Sequence, residues 1–95
     1  MGRYVLTERA GTDLLDIWKY IAEHNEAAAD KLIDQLFDRF SLVADNPLMG
    51  SARDDLQPGL RYSVYRDFLL LYNAINDGVV IVRVVHGRRD LTSLF

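Results

Sequence analysis

The sequence predicts an α+β domain in which two helices pack on a β-sheet, and three features support this fold class. Helical periodicity dominates residues 8–45, apolar β-branched runs dominate residues 60–86, and both prolines lie in the segment between, residues 45–59. Helices and strands grouped in separate halves are typical of α+β domains. A length of 95 residues allows one domain, 1–95, with one modest core.

The first half contains a short strand candidate, RYVL at residues 3–6, followed by two helices. Thr7 and Asn25 are suitable N-caps, because their side-chain oxygens can accept hydrogen bonds from free N–H groups of the first turn. Asn46-Pro47 ends the second helix, since proline disfavours helical backbone in the residue before it. Asp13 and the other helix aspartates are expected in solvent. Apolar residues recur at helical spacing at Leu14, Ile17, Trp18, Ile21, Leu32, Leu36, Phe40 and Val43.

The second half predicts three strands after an ordered loop at residues 45–59. The strands are residues 61–65, 68–74 and 79–86, joined by tight turns at Arg66-Asp67 and at Asn76-Asp77-Gly78. The predicted order is therefore β-α-α-β-β-β, with an antiparallel sheet packed on a helical hairpin.

Strand alternation predicts that both faces of this sheet are apolar. In the last strand Val80, Val82, Val84 and His86 alternate with Val79, Ile81, Arg83 and Val85. A helical hairpin covers only one face, so the other face needs a second cover. That cover is either a partner chain or this chain's own first strand together with the 45–59 loop.

Composition and charge argue against several classes of function, including nucleic-acid binding and metal binding. The net charge is −3, with five Lys/Arg against nine Asp/Glu in residues 1–47 and five arginines against three aspartates in residues 60–95. Proteins that bind phosphate backbones usually carry a basic excess, so direct nucleic-acid binding is not expected. No cysteines and two histidines give no metal site, and no cofactor is indicated. The absence of a bilayer-length apolar run or a signal peptide predicts a cytoplasmic protein.

Motifs spread over nearly the whole chain resemble the ParE/RelE superfamily of toxins from bacterial type II toxin–antitoxin systems. They are Asn46-Pro47 with Gly50, Gly59-Leu60-Arg61, and the stretch RVVHGRRD at residues 83–90. The likeness is nearest to the ParE branch. It implies a toxin that poisons DNA gyrase by binding, without catalysis. It also implies a cognate antitoxin that wraps an extended or helical segment over the toxin, with a dimer of toxin–antitoxin heterodimers as one assembly.

The RelE branch, whose members cut messenger RNA on the ribosome, is the alternative. Such an enzyme needs a base, an acid and cations around one phosphorus. Arg61, Arg83 and His86 fall near the positions that these nucleases use. However, both lysines, Lys19 and Lys31, lie on the helices, and the C-terminal tail has no tyrosine. The nuclease set is therefore incomplete.

Two groups of residues are predicted to bind proteins. His86 is interpreted as a buried, hydrogen-bonded scaffold histidine. Arg83, if buried, needs a carboxylate or a carbonyl, and an antitoxin acidic group or an internal aspartate would serve. Target binding is assigned to Arg88, Arg89, Leu91, Leu94 and Phe95. Antitoxin binding is assigned to Ile81, Arg83, Leu69 and Leu71.

Overall fold

The computed structural model describes residues 2–95 and confirms the α+β class, with two helices on a five-stranded sheet. The predicted elements are present within one or two residues of their expected bounds. In chain order the elements are β1 (Arg3–Leu6), α1 (Glu8–Ala22), α2 (Glu26–Asp45), β2 (Ser51–Ala52), β3 (Leu60–Tyr65), β4 (Phe68–Ile75), β5 (Gly78–His86) and a final 3-10 turn (Leu91–Leu94).

Both helices begin at the predicted caps. The Thr7 hydroxyl accepts the backbone N–H of Ala10 at 3.0 Å, and the Asn25 side chain accepts that of Ala28 at 3.0 Å. The Thr7 hydroxyl also donates to the Val82 carbonyl at 2.8 Å, so this cap joins the start of α1 to the sheet. Neither helix within residues 2–95 has the length and apolar character needed to cross a bilayer.

The sheet is mixed rather than purely antiparallel, which corrects the predicted topology. Its strand order is β1-β5-β4-β3-β2, and β1 runs parallel to β5 while the other pairs are antiparallel. Parallel pairing places the end of β1 beside the middle of β5, where Thr7 hydrogen-bonds to two β5 carbonyls. Strand β2 has only two residues, too few to produce an alternation pattern, and lies in the segment predicted as loop.

A bulge in β5 changes the alternation predicted for that strand. Leu71 of β4 pairs with Arg83, whereas Tyr72 pairs with Ile81, so Val82 is an extra residue. Val84 consequently joins Ile81 in the core beneath the helices instead of facing away from it. This core also contains Leu36, Phe40, Val43, Leu70, Tyr72 and Val79.

The second face of the sheet is covered in part by this same chain. Leu60, Leu71 and Val85 are buried there under Leu56 of the 45–59 loop and under Leu91 and Leu94 of the final turn. The loop thus contributes as one alternative predicted, but β1 extends the sheet edge and does not fold over this face. The final turn, which the strand pattern does not reveal, supplies the rest of the cover.

Candidate functional site

A buried ion pair joins α1 to β5. The Nε and Nη2 atoms of Arg83 donate to the two carboxylate oxygens of Asp13 at 2.7 and 3.0 Å, and the backbone N–H of Val84 donates to the same carboxylate at 3.0 Å. The hydrogen bond with Asp13 raises the pKa of the Arg83 guanidinium further above its usual value. An internal aspartate therefore satisfies Arg83. Asp13 is buried, contrary to the expectation that it lies in solvent, because the guanidinium draws it towards the sheet.

Two side chains of the sheet hold the loop that contains Asn46-Pro47 and Gly50. The Tyr72 hydroxyl accepts the Gly50 N–H at 2.9 Å and donates to the Pro47 carbonyl at 2.8 Å. Arg61 Nη1 donates to the Gly50 carbonyl at 2.7 Å. A Cβ atom at Gly50 would lie 2.5 Å from the Tyr72 hydroxyl oxygen, so only glycine fits there. Arg61 therefore has a structural role in this fold.

His86 ends β5 at the surface. Its Nδ1 accepts the backbone N–H of Arg88 at 3.2 Å, and its ring meets Phe68 edge-on with centroids 6.0 Å apart. The predicted hydrogen bond is present, but the predicted burial is wrong. The side chain is exposed because β5 ends at this residue and Gly87 turns the chain away.

The three residues of the nuclease alternative lie apart. Arg83 is held in the buried ion pair, and Arg61 pairs across the sheet with Tyr72. His86 pairs with Phe68, four residues from Tyr72 along β4, a separation of about 13 Å along the strand. Groups that act on one phosphorus must lie within hydrogen-bond reach of the same ligand. This arrangement does not bring the three together.

A groove on the second face runs beside the C-terminal turn. Tyr62, Val64 and Leu69 line it on the sheet, and its volume is about 470 Å³. Its other side is formed by Arg53, Gly87 and residues 89–92. Val64 is 54% exposed, so this part of the second face has no cover. Arg89 lies at the groove and forms no ion pair within the described part of the chain. Apolar side chains with the unpaired guanidinium of Arg89 beside them are a suitable surface for binding a segment of another protein.

The C-terminal turn is held by one cap and one buried side chain. The Asp90 carboxylate accepts the hydroxyl of Thr92 at 2.7 Å and its backbone N–H at 3.0 Å. These bonds, the hydroxyl first, lower the pKa of Asp90 below its usual value. Leu91 is buried against the second face, whereas Phe95 is 42% exposed. The turn thus has an anchored start and an accessible end.

Comparison with known proteins decides the family. Residues 4–91 match the family model described as "ParE toxin of type II toxin-antitoxin system, parDE".

The chain belongs to this ParE toxin family.

Toxin ParE3 of Caulobacter vibrioides is 33% identical over 97 residues, which cover 98% of this chain and 94% of that protein. Toxin ParE1 of Mycobacterium tuberculosis is 30% identical over 91 residues, which cover 94% of this chain and 93% of that protein. A solved structure titled "Chromosomal ParDE TA system from P. aeruginosa" superposes with a TM-score of 0.74 at 19% identity, covering 90% of this chain and 96% of that one. That structure shares the fold.

The ParE-family chain places the residues predicted for target binding together at its C-terminal end. Arg88 and Arg89 are exposed, Leu91 is buried, Leu94 is half-buried and Phe95 is exposed.

The residues predicted for antitoxin binding lie mostly inside the sheet. Ile81 and Leu71 are fully buried on opposite sides of it, Arg83 pairs with Asp13, and Leu69 is half-buried beside the groove.

Three residues that matter for the site are not evident from the sequence. Asp13 looks like one of several helix aspartates, and Tyr72 looks like an ordinary alternating strand residue. Val64 belongs to the shortest and least apolar of the three predicted strands. The available signal for Asp13 was Arg83 itself, since an arginine within a valine run requires a buried acid.

Proposed function

We propose that this protein is a toxin that arrests growth by binding DNA gyrase, and that a cognate antitoxin neutralises it. The match of residues 4–91 to the ParE toxin family carries the proposal. Relatives that align over nearly their whole length are named as ParE toxins, which supports the same role for this chain. Gyrase is the target that the ParE resemblance implies.

The proposed mode of action is binding rather than catalysis. The guanidinium of Arg83 is neutralised by Asp13, and part of the donor capacity of Arg61 is used on the 46–50 loop. His86 is exposed at the end of β5, and the two arginines of the predicted nuclease set are engaged in these other contacts, so the set does not gather around one phosphorus. These contacts support a binding function over the RelE-like nuclease.

We assign target contact to the C-terminal end. Arg88 and Arg89 supply charge that this chain does not neutralise within residues 2–95, and Phe95 supplies exposed apolar surface. Leu91 and Leu94 hold the turn on the sheet and so position the other three. Aromatic and arginine side chains are the residue types most often dominant in protein interfaces.

The antitoxin is proposed to bind over the sheet near Leu69, with Leu71 beneath the contact. Ile81 faces the helices and Arg83 is held by Asp13, so neither of these two predicted residues is available to it. Leu69 lies on the same uncovered part of the second face as Val64, so an antitoxin segment there would bury apolar surface that is now in solvent. Such a position lies beside Arg89 and would block access to the target-binding end. A dimer of toxin–antitoxin heterodimers stays a prediction.

The experiment compares catalysis with binding in the same variants. Wild-type protein should trap the gyrase cleavage complex in a DNA cleavage assay and should leave ribosome-bound messenger RNA intact. His86→Ala should keep this activity and lower stability by only about 0.5–1.5 kcal/mol, the net value of one hydrogen bond. The double variant Arg88→Ala/Arg89→Ala should weaken inhibition about tenfold or more with an unchanged melting temperature.

The double variant Lys19→Ala/Lys31→Ala is the matched control, since it removes two exposed cations of the helices that, like Arg88 and Arg89, form no ion pair within the described residues. It should inhibit like wild type. Ribosome-dependent cleavage of messenger RNA that His86→Ala abolishes would refute the binding mechanism.

A further inference from the structure

The turn between β3 and β4 has an unusual backbone. Tyr65 pairs with Phe68, so Arg66 and Asp67 form a two-residue hairpin loop, and Arg66 has φ = 53°. Arg66 is the only non-glycine residue with positive φ among residues 2–95. The first central position of such a loop, with positive φ, favours glycine or asparagine. An arginine in a conformation unfavourable for its side chain suggests a function for that side chain.

Two guanidinium groups converge on one aromatic ring at this turn. The guanidinium carbon of Arg66 lies 5.6 Å from the centre of the Tyr65 ring, and that of Arg39 from α2 lies 5.2 Å from it. Neither arginine forms an ion pair within the described residues, and neither does Arg88. Asp67 adjoins Arg66 in sequence, yet its carboxylate lies within 4.0 Å of none of the three guanidinium groups. The charge is therefore available to an outside carboxylate.

Arg66 and Arg88 stand beside uncovered apolar surface. They line a cleft of about 210 Å³ together with Val64, Asp67, Phe68, Leu69, His86 and Gly87, and this cleft shares Val64 and Leu69 with the groove described above. Aliphatic surface next to concentrated positive charge is complementary to a segment in which an apolar residue adjoins an acidic one.

We propose that the β3–β4 turn is the point at which this toxin recognises its target protein. Arg66, with Arg88 at the same cleft, receives an acidic side chain of the target, and the part of the cleft over Val64 and Leu69 receives the apolar side chain next to it. This inference rests on the proposed function and adds to it a contact outside the C-terminal end.

The surface favours a protein segment over a nucleic acid. Single-stranded RNA is bound by stacking its bases on exposed aromatic rings. Here two guanidinium groups already occupy positions over the Tyr65 ring, so this ring is not free to stack on a base.

The test measures binding of purified gyrase and of the cognate antitoxin to three variants. Arg66→Asn removes the charge while keeping a residue that tolerates positive φ, and Arg66→Lys keeps the charge. Arg3→Asn is the control at the opposite edge of the sheet. Arg66→Asn should weaken gyrase binding about tenfold, more at low ionic strength than at high, through slower association. Arg66→Lys should lose less, and Arg3→Asn should equal wild type.

The melting temperature of Arg66→Asn should stay at the wild-type value, which separates target recognition from a structural role. Antitoxin affinity should fall less than gyrase affinity, since the antitoxin is placed over Val64 and Leu69 without a requirement for the charge of Arg66. Unchanged gyrase binding by Arg66→Asn would overturn the inference, and so would equal losses of gyrase and antitoxin binding. Tighter binding of single-stranded RNA than of gyrase at this turn would also overturn it.

A second probe distinguishes failure of the proposed gyrase target from failure of the recognition chemistry proposed for this turn. If the wild-type protein does not bind gyrase, a synthetic peptide of alternating glutamate and leucine is titrated into the labelled chain. Backbone shifts confined to Val64, Arg66 and Leu69, and absent in Arg66→Asn, would uphold the recognition chemistry while gyrase is rejected as the target. No shifts at this turn would overturn the inference as well.

Discussion

At the scale of single residues, the ion pair of Asp13 with Arg83 makes the sharpest stability prediction. Asp13→Ala would leave a buried guanidinium without its carboxylate, so we expect a loss of about 3–5 kcal/mol in the free energy of unfolding. Asp16→Ala, on an exposed position of the same helix, should change it by less than about 0.5 kcal/mol. Urea denaturation followed by circular dichroism gives both values.

A second comparison separates loss of the pair from loss of a charge. Asp13→Leu combined with Arg83→Met removes both ions and should recover much of the stability lost in Asp13→Ala, because no uncompensated charge stays buried. If the double variant is as unstable as the sum of its single variants, the two residues are not coupled, and the explanation by an uncompensated buried charge is wrong.

For single residues, the sequence showed which side chain requires a polar partner but did not show which residue supplies it. It predicted that Arg83 requires a carboxylate, since burial of an unpaired charge is too costly, but Asp13 lies 70 positions away and has no distinguishing local signal. It also predicted that His86 is buried. The alternation of side chains along a strand does not show where the strand extends beyond the elements that pack on it. The role of Tyr72 as the clamp of the 46–50 loop depends on tertiary contact alone.

At the scale of elements, the sequence predicted the helix caps and the turns. It did not predict which face of the sheet each side chain of β5 points to. Thr7 and Asn25 cap the helices as expected because capping is local chemistry. The bulge at Val82 reverses which residues of β5 face the helices from that point onward. A run of β-branched residues contains no sequence signal for such a bulge. The final turn, Leu91–Leu94, was likewise not predicted, because four residues are too few to show a repeating pattern of apolar positions.

The final turn has a pH dependence that follows from Asp90. Hydrogen bonds from Thr92 lower the folded-state pKa of Asp90, so its contribution is present above the unfolded value of about 3.9 and is lost as the pH falls through the folded value. We expect the Thr92 amide resonance to be constant at neutral and mildly acidic pH. Below about pH 4 it should move towards the random-coil position.

Asp90→Asn is the matched variant, because its side-chain oxygen can still accept the Thr92 hydrogen bonds but does not titrate. Its Thr92 resonance should not follow this titration. The same acid-induced shift in Asp90→Asn would assign the transition to another group, for example Asp55, whose pKa is also lowered, by its hydrogen bond with Arg53.

At the scale of the whole molecule, the mixed sheet has two apolar faces with different covers. The helices cover one face, and the other is closed in part by Leu56, Leu91 and Leu94. The sequence predicted two apolar faces, and from them a need for a second cover. It could not assign the cover to the final turn, because that assignment depends on where the chain goes after His86. The ParE-family match explains why element order alone indicated the fold class.

Truncation after Gly87 tests this division of the second face. It removes Leu91 and Leu94 from the cluster that contains Leu60, Leu71 and Val85, which should then be in contact with water. Full burial of one leucine contributes about 1.5–3 kcal/mol, so the shortened chain should lose stability and bind a hydrophobic dye. It should also self-associate as concentration rises, since an exposed apolar patch of this kind promotes association.

Truncation after Leu94 provides the control, because it removes only the exposed Phe95. This chain should match wild type in melting temperature, dye binding and sedimentation while losing part of its affinity for the target. If the chain ending at Gly87 stays monomeric and equally stable, then Leu91 and Leu94 do not protect the sheet. Their effect on growth arrest would then have to come from direct contact with the target, and the second face would be open to a partner along its whole length.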